Sequence, residues 1–518
     1  MDIIEVEVFN KLFSSIAEEM GIILTRSSFS SNIKERQDFS CAIFDQKGEL
    51  VAQAAHIPVH LGAMPQTVSH ALGAHSFKKG DTMIINDPFQ GGSHLPDITL
   101  IEPVFDNDEL LFYVASRAHH ADVGGSTPGS MGHCSHFDEE GVCIGPTLLY
   151  QAGALNENFL SSFLSKVRNP EERRGDLQAQ KAALKRGRTR LLEVVGRHGS
   201  AHAFTILSQL KAYGENLMRH VLTTIPDGTY SFTDYLDNDG TSNKAISLHV
   251  DLEIHGDEAI IDFSRCAEQI QSPLNAVRPV TISATIYVFQ CLIGDGFPIN
   301  QGSYSPLTIK TRPGSLLDAR RPAPVAAGNV ETSQRIVDLL FGALAKAIPD
   351  RVPAASCGSM NNIAIGGHNN SGSQFTYYET IGGGMGGRPS APGLNGIHTH
   401  MTNTLNTPVE ALEHSFPMMV EEYSLRRNSG GKGQHPGGDG IIRTYHFLAD
   451  CEVSLLTDRR DTEPYGLQGG ESGKPGGNIL HKKNGSQERL PGKINFQAQK
   501  GERLTIKTPG GGGWGKKD

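Results

Sequence analysis

The stretch Asn86–Gly125, NDPFQGGSHLPDITLIEPVFDNDELLFYVASRAHHADVGG, gathers histidines and aspartates at spacings that could close around a metal ion. His94 and Asp97 lie three residues apart in a segment that contains Pro96 and follows Gly91 and Gly92, so they read as loop residues rather than one face of a helix. The apolar run LLFYVAS reads as a strand. At its end the two-residue alternation projects Arg117, His119 and Ala121 to one side and His120 and Asp122 to the other, so one of the paired histidines can face the loop. Asp38, at the entrance to an earlier predicted strand, would add a second carboxylate and give a site of Asp38, His94, Asp97 and His119. Such a mixed nitrogen and oxygen set suits Zn²⁺, Mn²⁺ or Fe²⁺ better than Ca²⁺ or Mg²⁺, which favour oxygen shells. A metal so held could lower the pKa of water or polarise a carbonyl. The alternative is structural: His94 and Asp97 cap a turn and His119 is a satisfied core histidine. His56 and His60, on either side of Pro58, and His133 and His136 read as hydrogen-bonding or pocket residues rather than ligands.

The elements that must position these residues are legible from hydrophobic spacing. Ile4, Val8, Leu12, Ile16, Met20 and Ile23 recur at helical period and predict an amphipathic helix over 3–23. CAIFDQKGELVAQ reads as a β-hairpin turning at Gln46-Lys47-Gly48, with Asp38 at its entrance. A helix over 63–74 and a buried strand over 80–86 then lead into the metal-site stretch. Charged helix formers dominate 145–222 and predict a helical hairpin, with Asn169 as N-cap, Pro170 in the first turn and a break at Gly199. A β-meander is expected after Gly228, with a turn at His255-Gly256-Asp257, followed by helices over 274–294 and 332–348. The Pro-rich segment between those two helices reads as a loop crossing a domain interface. The last third alternates Gly clusters (GGGMGG, SGGKGQHPGGDG, GGGGWG) with short strands, which favours ordered turns over flexible linkers. The expected fold is mixed α/β (α+β) in several layers. Its regions are a metal-site α/β region over 1–145, a helical excursion over 146–225, an α/β middle region over 226–350 and a β-rich, Gly-rich region over 351–518.

Composition narrows the function classes. A chain of 518 residues can bury two or three cores. The net charge of -9 argues against a nucleic-acid footprint, and the one basic run, Lys181 to Arg190, reads as the solvated side of a helix. The seven cysteines are scattered without a C-x-x-C pair, which suggests neither a disulfide framework nor a zinc finger and fits a reducing cytoplasm. The opening MDIIEVEVF lacks signal-peptide character, and no run approaches the roughly 20 apolar residues of a membrane span. The Gly clusters match neither the P-loop order nor a strand-anchored G-x-G-x-x-G, and there is no G-x-S-x-G elbow. If ATP takes part, another polypeptide brings it.

Taken together, NIKERQDFSCAIFD, HIPVHLGAMP, NDPFQGGSHLPDITL, RAHHADVGGSTPGSM, DEEGVCIGP, NPEERRGDLQAQ, PAPVAAGNVETSQRI, YSLRRNSGGKGQHPGGDG and TPGGGGWG resemble the hydantoinase B/oxoprolinase family nearly end to end. The resemblance implies a hetero-oligomer with a hydantoinase A-like, ATP-binding subunit of actin/hexokinase-like fold. It also implies a substrate that is a small cyclic amide, such as N-methylhydantoin, 5-oxoproline or a lactam, opened at the expense of ATP. Relatives that carboxylate acetone or acetophenone imply a ketone carboxylase as the alternative, and a non-catalytic scaffold for the ATPase subunit is a third reading. The family's metal motif falls on Asp38, His94, Asp97 and His119, implying one divalent transition metal here (Zn or Mn, with Fe as a further option), while the partner uses ATP and Mg. His120 and Asp122 are then expected to support the ligands from behind or to contact the substrate, and either could manage the proton on the departing nitrogen. One departure stands out. GHCSHFDEE replaces an expected proline-rich turn, so His133, Cys134 and His136 are expected to reshape the pocket, and the substrate cannot be borrowed from a relative.

Overall fold

The computed structural model describes residues 3–54, 56–294, 298–369 and 372–517. Its first sheet has seven strands: β1 (Phe39–Asp45), β2 (Leu50–Gln53), β3 (Thr82–Ile85), β4 (Asp97–Asp106), β5 (Glu109–His119), β6 (Thr147–Gln151) and β7 (Ala154–Leu155). They run in the order β2-β1-β5-β4-β3-β6-β7, with every neighbouring pair antiparallel. The predicted hairpin is β1–β2, with Asp45 closing its turn through hydrogen bonds from the Lys47 and Glu49 amides at 2.9 Å each.

Alternation along these strands builds a three-layer sandwich. Cys41, Ile43, Phe112 and Val114 point into the main core, whereas Ala42, Phe44, Tyr113 and Ala115 point to the opposite face. On the main-core side lie α1 (Ile3–Ser27), the short α2 (Ser31–Lys34) and α5 (Pro170–His198), the last reached through α4 (Glu157–Leu164). Phe9, Phe13, Ile16, Met20 and Leu24 of α1 meet Leu177, Leu184 and Leu191 of α5 there. Each such side chain taken from water contributes about 1.5–3 kcal/mol. The other face is covered by α3 (Ala63–Ala74), through Met64, Val68 and Ala71.

The helical segment differs in detail from its sequence reading. Gly199 (φ 83°) does separate α5 from α6 (Ser200–Thr223). However, α5 packs along α1 and strands β4 and β5 as well as on α6, so it is a layer of the sandwich as well as half of a hairpin. Pro170 stands in the first turn as expected. Asn169 does not cap it with its side chain; it takes a left-handed backbone (φ 52°, ψ 58°), which Asn tolerates.

The meander is β8 (Gly228–Leu236), β9 (Ile246–His255) and β10 (Glu258–Asp262); β11 (Leu307–Lys310), which follows the next helix, joins it parallel to β10 to complete a second sheet in the order β11-β10-β9-β8. Two helices follow the predicted positions, α7 (Arg278–Ile293) and α8 (Ser333–Leu344). A wide π turn, Gly328–Thr332, leads into α8, and all twelve α8 residues are buried. The polar ones join regions: Gln334 donates to the Thr399 carbonyl (2.8 Å) and Arg335 pairs with Asp458 (3.1 Å).

The C-terminal third holds two further sheets around the short α9 (Val409–Ser415). One contains β12 (Asn362–His368), β13 (Gln374–Glu379), β16 (Cys451–Leu456) and β19 (Lys493–Ala498); the other contains β14 (Met418–Arg426), β15 (Gly440–Phe447), β17 (Gly477–His481), β18 (Gln487–Leu490) and β20 (Arg503–Lys507). The Gly clusters are ordered, as expected, but they are not simple turns. They run as extended segments hydrogen-bonded side by side: Gly438 to Met385 (2.8 Å), Gly511 to Gly438 (2.9 Å) and Gly431 to Gly511 (2.8 Å). A Cβ on Gly384 would lie 2.0 Å from the Gly438 oxygen, and one on Gly437 2.0 Å from the Gly511 oxygen, so no larger residue fits this backbone-to-backbone contact. The amides that a phosphate loop would offer are spent between these segments. Among the described residues no helix is long and apolar enough to cross a membrane.

Candidate metal centre

The β4–β5 register places Asp97 opposite His119 at the end of the ladder, where the preceding loop folds His94 back beside them. Backbone contacts fix this end from two sides. The His119 amide donates to the Asp38 carbonyl (3.0 Å), continuing the β1–β5 pairing, and the His120 amide donates to the Pro96 carbonyl (2.9 Å). Asn86 closes the loop by donating to the Leu95 carbonyl (2.7 Å) and accepting from the Ile144 amide (2.6 Å).

Three donor atoms then converge. His94 Nε2 lies 3.2 Å from His119 Nδ1 and 3.3 Å from Asp97 Oδ1, and His119 Nδ1 lies 3.5 Å from Asp97 Oδ1. A tetrahedral ion with bonds of about 2.0–2.1 Å spaces its donors about 3.3–3.4 Å apart, so the triangle has the size of a metal's coordination face. The three residues are at most 2 % exposed. Among the described residues they form a group of potential ligands whose donor atoms all lie within 4.8 Å of one another.

The surroundings turn the lone pairs inward. His94 Nδ1–H donates to the Ala326 carbonyl (3.2 Å), which leaves the lone pair on Nε2. Asp97 Oδ2 is taken by His60 Nε2 (3.1 Å) and by the Ser93 hydroxyl, and His60 is itself steadied by Ser40 Oγ (2.9 Å). Asp97 Oδ1 has no hydrogen-bond partner. Tyr378 stacks flat on His119, with ring centroids 4.6 Å apart and an interplanar angle of 9°. Two lone-pair acceptors facing each other at 3.3 Å in a dry interior form a pair that a cation between them would satisfy. The donor set therefore fits a divalent transition metal.

Burial alone would raise the Asp97 carboxyl, but the adjacent His94, His60 and His119 rings outweigh it and hold the group well below the usual carboxylate range. Burial lowers His119, and Asp38 and Asp97 offset this only in part, so the ring is neutral at pH 7 and free to ligate.

The other candidate residues lie around the triangle or away from it. Asp38 stands beside His119 through its backbone, while its carboxylate is outside the group of three and lies 3.6 Å from the Arg36 guanidinium. His120 Nε2 meets Gln180 Oε1 (3.0 Å) on α5, and its pKa is lowered to about 4, chiefly by burial. Asp122 is fully engaged: it accepts from the Gly124 and Arg168 amides (2.9 Å each) and the Gly129 amide (3.0 Å), and pairs with the Arg168 guanidinium (3.0 Å). The structure does not bring these two side chains into the triangle. His133 bonds to the Asp239 carbonyl (2.9 Å), Cys134 is buried with a sulfur 3.9 Å from Ser126 Oγ, and His136 lies at the surface, so none of the three lines the centre. That segment acts through its last residue instead. Glu140 accepts from the Val325 and Ala326 amides (2.7 and 2.8 Å), holding the carbonyl that orients His94.

A family model, hydantoinase B/oxoprolinase, matches residues 2–517. The chain belongs to the hydantoinase B/oxoprolinase family. It is 40 % identical to 5-oxoprolinase 1 of Arabidopsis thaliana over 99 % of this chain, yet spans only 42 % of that longer protein. It is 31 % identical to a chain named as one of the subunits of a putative D-/L-hydantoinase of a Pseudomonas species, covering 99 % of this chain and 90 % of the relative. Among solved structures, the ATP-dependent caprolactamase of Pseudomonas jessenii superposes with a TM-score of 0.92 at 27 % identity, over 100 % of this chain and 91 % of that one. The mixed α/β fold is thus that of the caprolactamase chain.

Sequence reasoning missed Glu140, Tyr378 and Asn329, whose carboxamide lies 3.1 Å from His94 Nε2, and took His60 for a general hydrogen-bonding residue. Only His60 carried a local signal, as a histidine two residues after a proline. A cleft of about 890 Å³ also escaped it; Ile57, Pro58 and Leu61 form one wall, Tyr287, Phe341 and His400 another. None of the triangle residues lines this cleft, but the turn Pro58–His60 touches both: its proline faces the cleft and its histidine holds Asp97.

Proposed function

We propose that this family member is the metal-carrying subunit of a cytoplasmic, ATP-dependent cyclic amide hydrolase, acting on an intermediate that a hydantoinase A-like partner phosphorylates. The observation that carries the reading is the inward-facing triangle of His94 Nε2, Asp97 Oδ1 and His119 Nδ1, sized for a metal and lacking a hydrogen-bonding alternative for Asp97 Oδ1. Support for the partner comes from the relative named as a hydantoinase subunit and from the caprolactamase described as ATP-dependent. Seven unpaired cysteines accord with a reducing compartment.

An amide C–N bond resists water because of resonance, and phosphorylating its oxygen makes that oxygen a leaving group. His94, Asp97 and His119 would hold the ion, which would supply Lewis-acid polarisation and activation of water at neutral pH. The protein's own part is preorganisation. Ala326 sets the His94 tautomer, His60 and Ser93 commit one Asp97 oxygen so that the other faces inward, and Tyr378 fixes the plane of His119. The cleft beside the Pro58–His60 turn is large enough for a small ring substrate.

Co-expression with an ATPase partner, followed by measurement of ADP release over hydantoins, 5-oxoproline, lactams and ketones with and without bicarbonate, tests the reading. Release driven by a cyclic amide alone is the expected result. Release that requires bicarbonate and a ketone would replace hydrolysis with carboxylation. Full turnover by variants lacking the triangle would leave the chain only a scaffold.

A further inference from the structure

Asn329 is 4 % exposed and sits in the π turn Gly328–Thr332, a wide turn of the kind found often at functional sites. The turn reaches its place because Gly328 has no side chain; a Cβ there would lie 1.9 Å from the Asn275 carbonyl oxygen. One terminal atom of the Asn329 carboxamide, placed as Nδ2, lies 3.1 Å from His94 Nε2, and the other, Oδ1, is buried with no hydrogen-bond partner. Oxygen and nitrogen of a carboxamide exchange places by a half-turn about its last bond. With the lone pair of His94 Nε2 free, the NH₂ group donates to it. Once that lone pair is given to a cation, the NH₂ loses its acceptor, and the half-turn sets the carbonyl oxygen 3.1 Å from His94 Nε2, close to the 3.2 and 3.3 Å that separate this nitrogen from the other donors of the centre.

Resting on the metal reading above, we infer that the Asn329 carboxamide oxygen is a further ligand of the ion held by His94, Asp97 and His119. The turn before α8 is then tied to the loop before β4 through the ion itself. An oxygen donor and an NH donor are separable by substitution: aspartate keeps the oxygen and loses the NH, alanine loses both.

The test uses the purified full chain, stripped of metal, and measures Zn²⁺ affinity by competition with a chromophoric chelator and the visible spectrum with Co²⁺. Asn329→Ala should weaken Zn²⁺ by about 10–100-fold or more and change the Co²⁺ bands, whereas Asn329→Asp should bind within a few-fold of the natural protein or tighter. Asn329→Asp without metal should melt earlier, because it places a second carboxylate beside Asp97, and should regain its midpoint with Zn²⁺. If the alanine variant fails to fold, Asn329→Leu, of similar volume, takes its place. Unchanged affinity and spectrum in the alanine variant would overturn the inference while leaving the metal reading intact. Equal weakening by alanine and aspartate would overturn it in favour of an NH donor. If the natural protein itself binds no Zn²⁺ or Co²⁺, the metal reading falls and this inference with it.

Discussion

Two regions of the molecule bury charge, and they do so in opposite ways. Where α8 meets the C-terminal third, Asp234, Asp338 and Asp458 face Arg335, Arg459 and Lys493 in matched number: Lys493 reaches Asp458 at 2.7 Å, Arg459 reaches Asp234 at 2.8 Å and Asp338 at 3.2 Å, and Arg335 reaches Asp458 at 3.1 Å. Burial raises Asp458, but Lys493 and Arg335 more than offset it and hold the carboxyl far below its usual range. At the metal centre, Asp97 faces histidine lone pairs instead of guanidinium groups, and one of its oxygens has no partner. The first cluster balances its carboxylates with cationic side chains of the protein; the second sets a carboxylate oxygen against ring nitrogens, a donor set that a cation would bridge. Buried charge alone therefore does not mark a functional site, whereas lone pairs of metal-ligating side chains converging at metal-ligand spacing point to one.

The largest effect should come from removing a corner of the triangle. His94→Ala or Asp97→Ala should abolish stoichiometric metal, read by elemental analysis, and with it turnover in the complex, while assembly with the partner persists. Full activity in both variants would break the distinction between the two clusters. Next in size, Arg335→Met leaves Asp458 with Lys493 as its one paired cation and the cluster one positive charge short, and should cost about 3–5 kcal/mol in unfolding free energy. The fraction that stays folded should bind Zn²⁺ normally. A parallel loss of metal affinity would show the two regions to be one coupled site.

How much of this was legible in the sequence follows from how far each contact reaches along the chain. His94, Asp97 and His119 were readable because a Gly/Pro loop and a strand end are local patterns, and the β4–β5 register needed only an adjacent pair of strands. Period-2 and period-3.6 spacing likewise exposed the β1–β2 hairpin, β3, β5, α1, α3 and α7, whereas β6 and β7 fall inside the segment read as helical and are short edge strands with little alternation. Asn329 and Glu140 were not readable: one meets a histidine 235 positions away, and the other orients that same histidine through a backbone carbonyl, which leaves no side-chain pattern. Asp38 was expected to bring its carboxylate to the metal; it stands beside His119 through its backbone carbonyl, while the carboxylate turns to Arg36, a contact that its position at a strand entrance does not reveal. The Gly clusters were seen to be ordered, yet their lateral packing depends on contacts among three distant segments.

A smaller effect sharpens the contrast from within the centre. His60→Ala removes one of two hydrogen bonds to Asp97 Oδ2 without touching the triangle, and should weaken Zn²⁺ about 10–100-fold while leaving a metal-loaded protein at saturating Zn²⁺. Unchanged affinity would mean that Ser93 alone orients the carboxylate.

The smallest effect concerns Glu140, where pH can tell a held carboxyl from an ionised one. Burial, with help from Glu139, pushes its pKa up to about 8 against the pull of the Val325 and Ala326 amides, so the folded protein keeps this proton at pH 7. Its folded pKa exceeds the unfolded value of 4.5, so the folded state binds more protons between those limits. This contribution to stability is therefore whole below about pH 4.5 and is lost as pH rises toward 8; Glu331, also raised to about 8 by burial, acts in the same sense. Glutamine at 140 can accept the same two amide hydrogens and carries no charge at any of these pH values. The gain in melting temperature of Glu140→Gln over the natural protein should therefore grow from pH 5 to pH 8, reaching the equivalent of a few kcal/mol at most. Because the Ala326 carbonyl stays in place, Zn²⁺ affinity should change by less than a few-fold, whereas Glu140→Ala, which frees that backbone, should weaken it. A gain that is flat with pH would mean that Glu140 is ionised in the fold, and that the His94 tautomer is set beside a second buried negative charge.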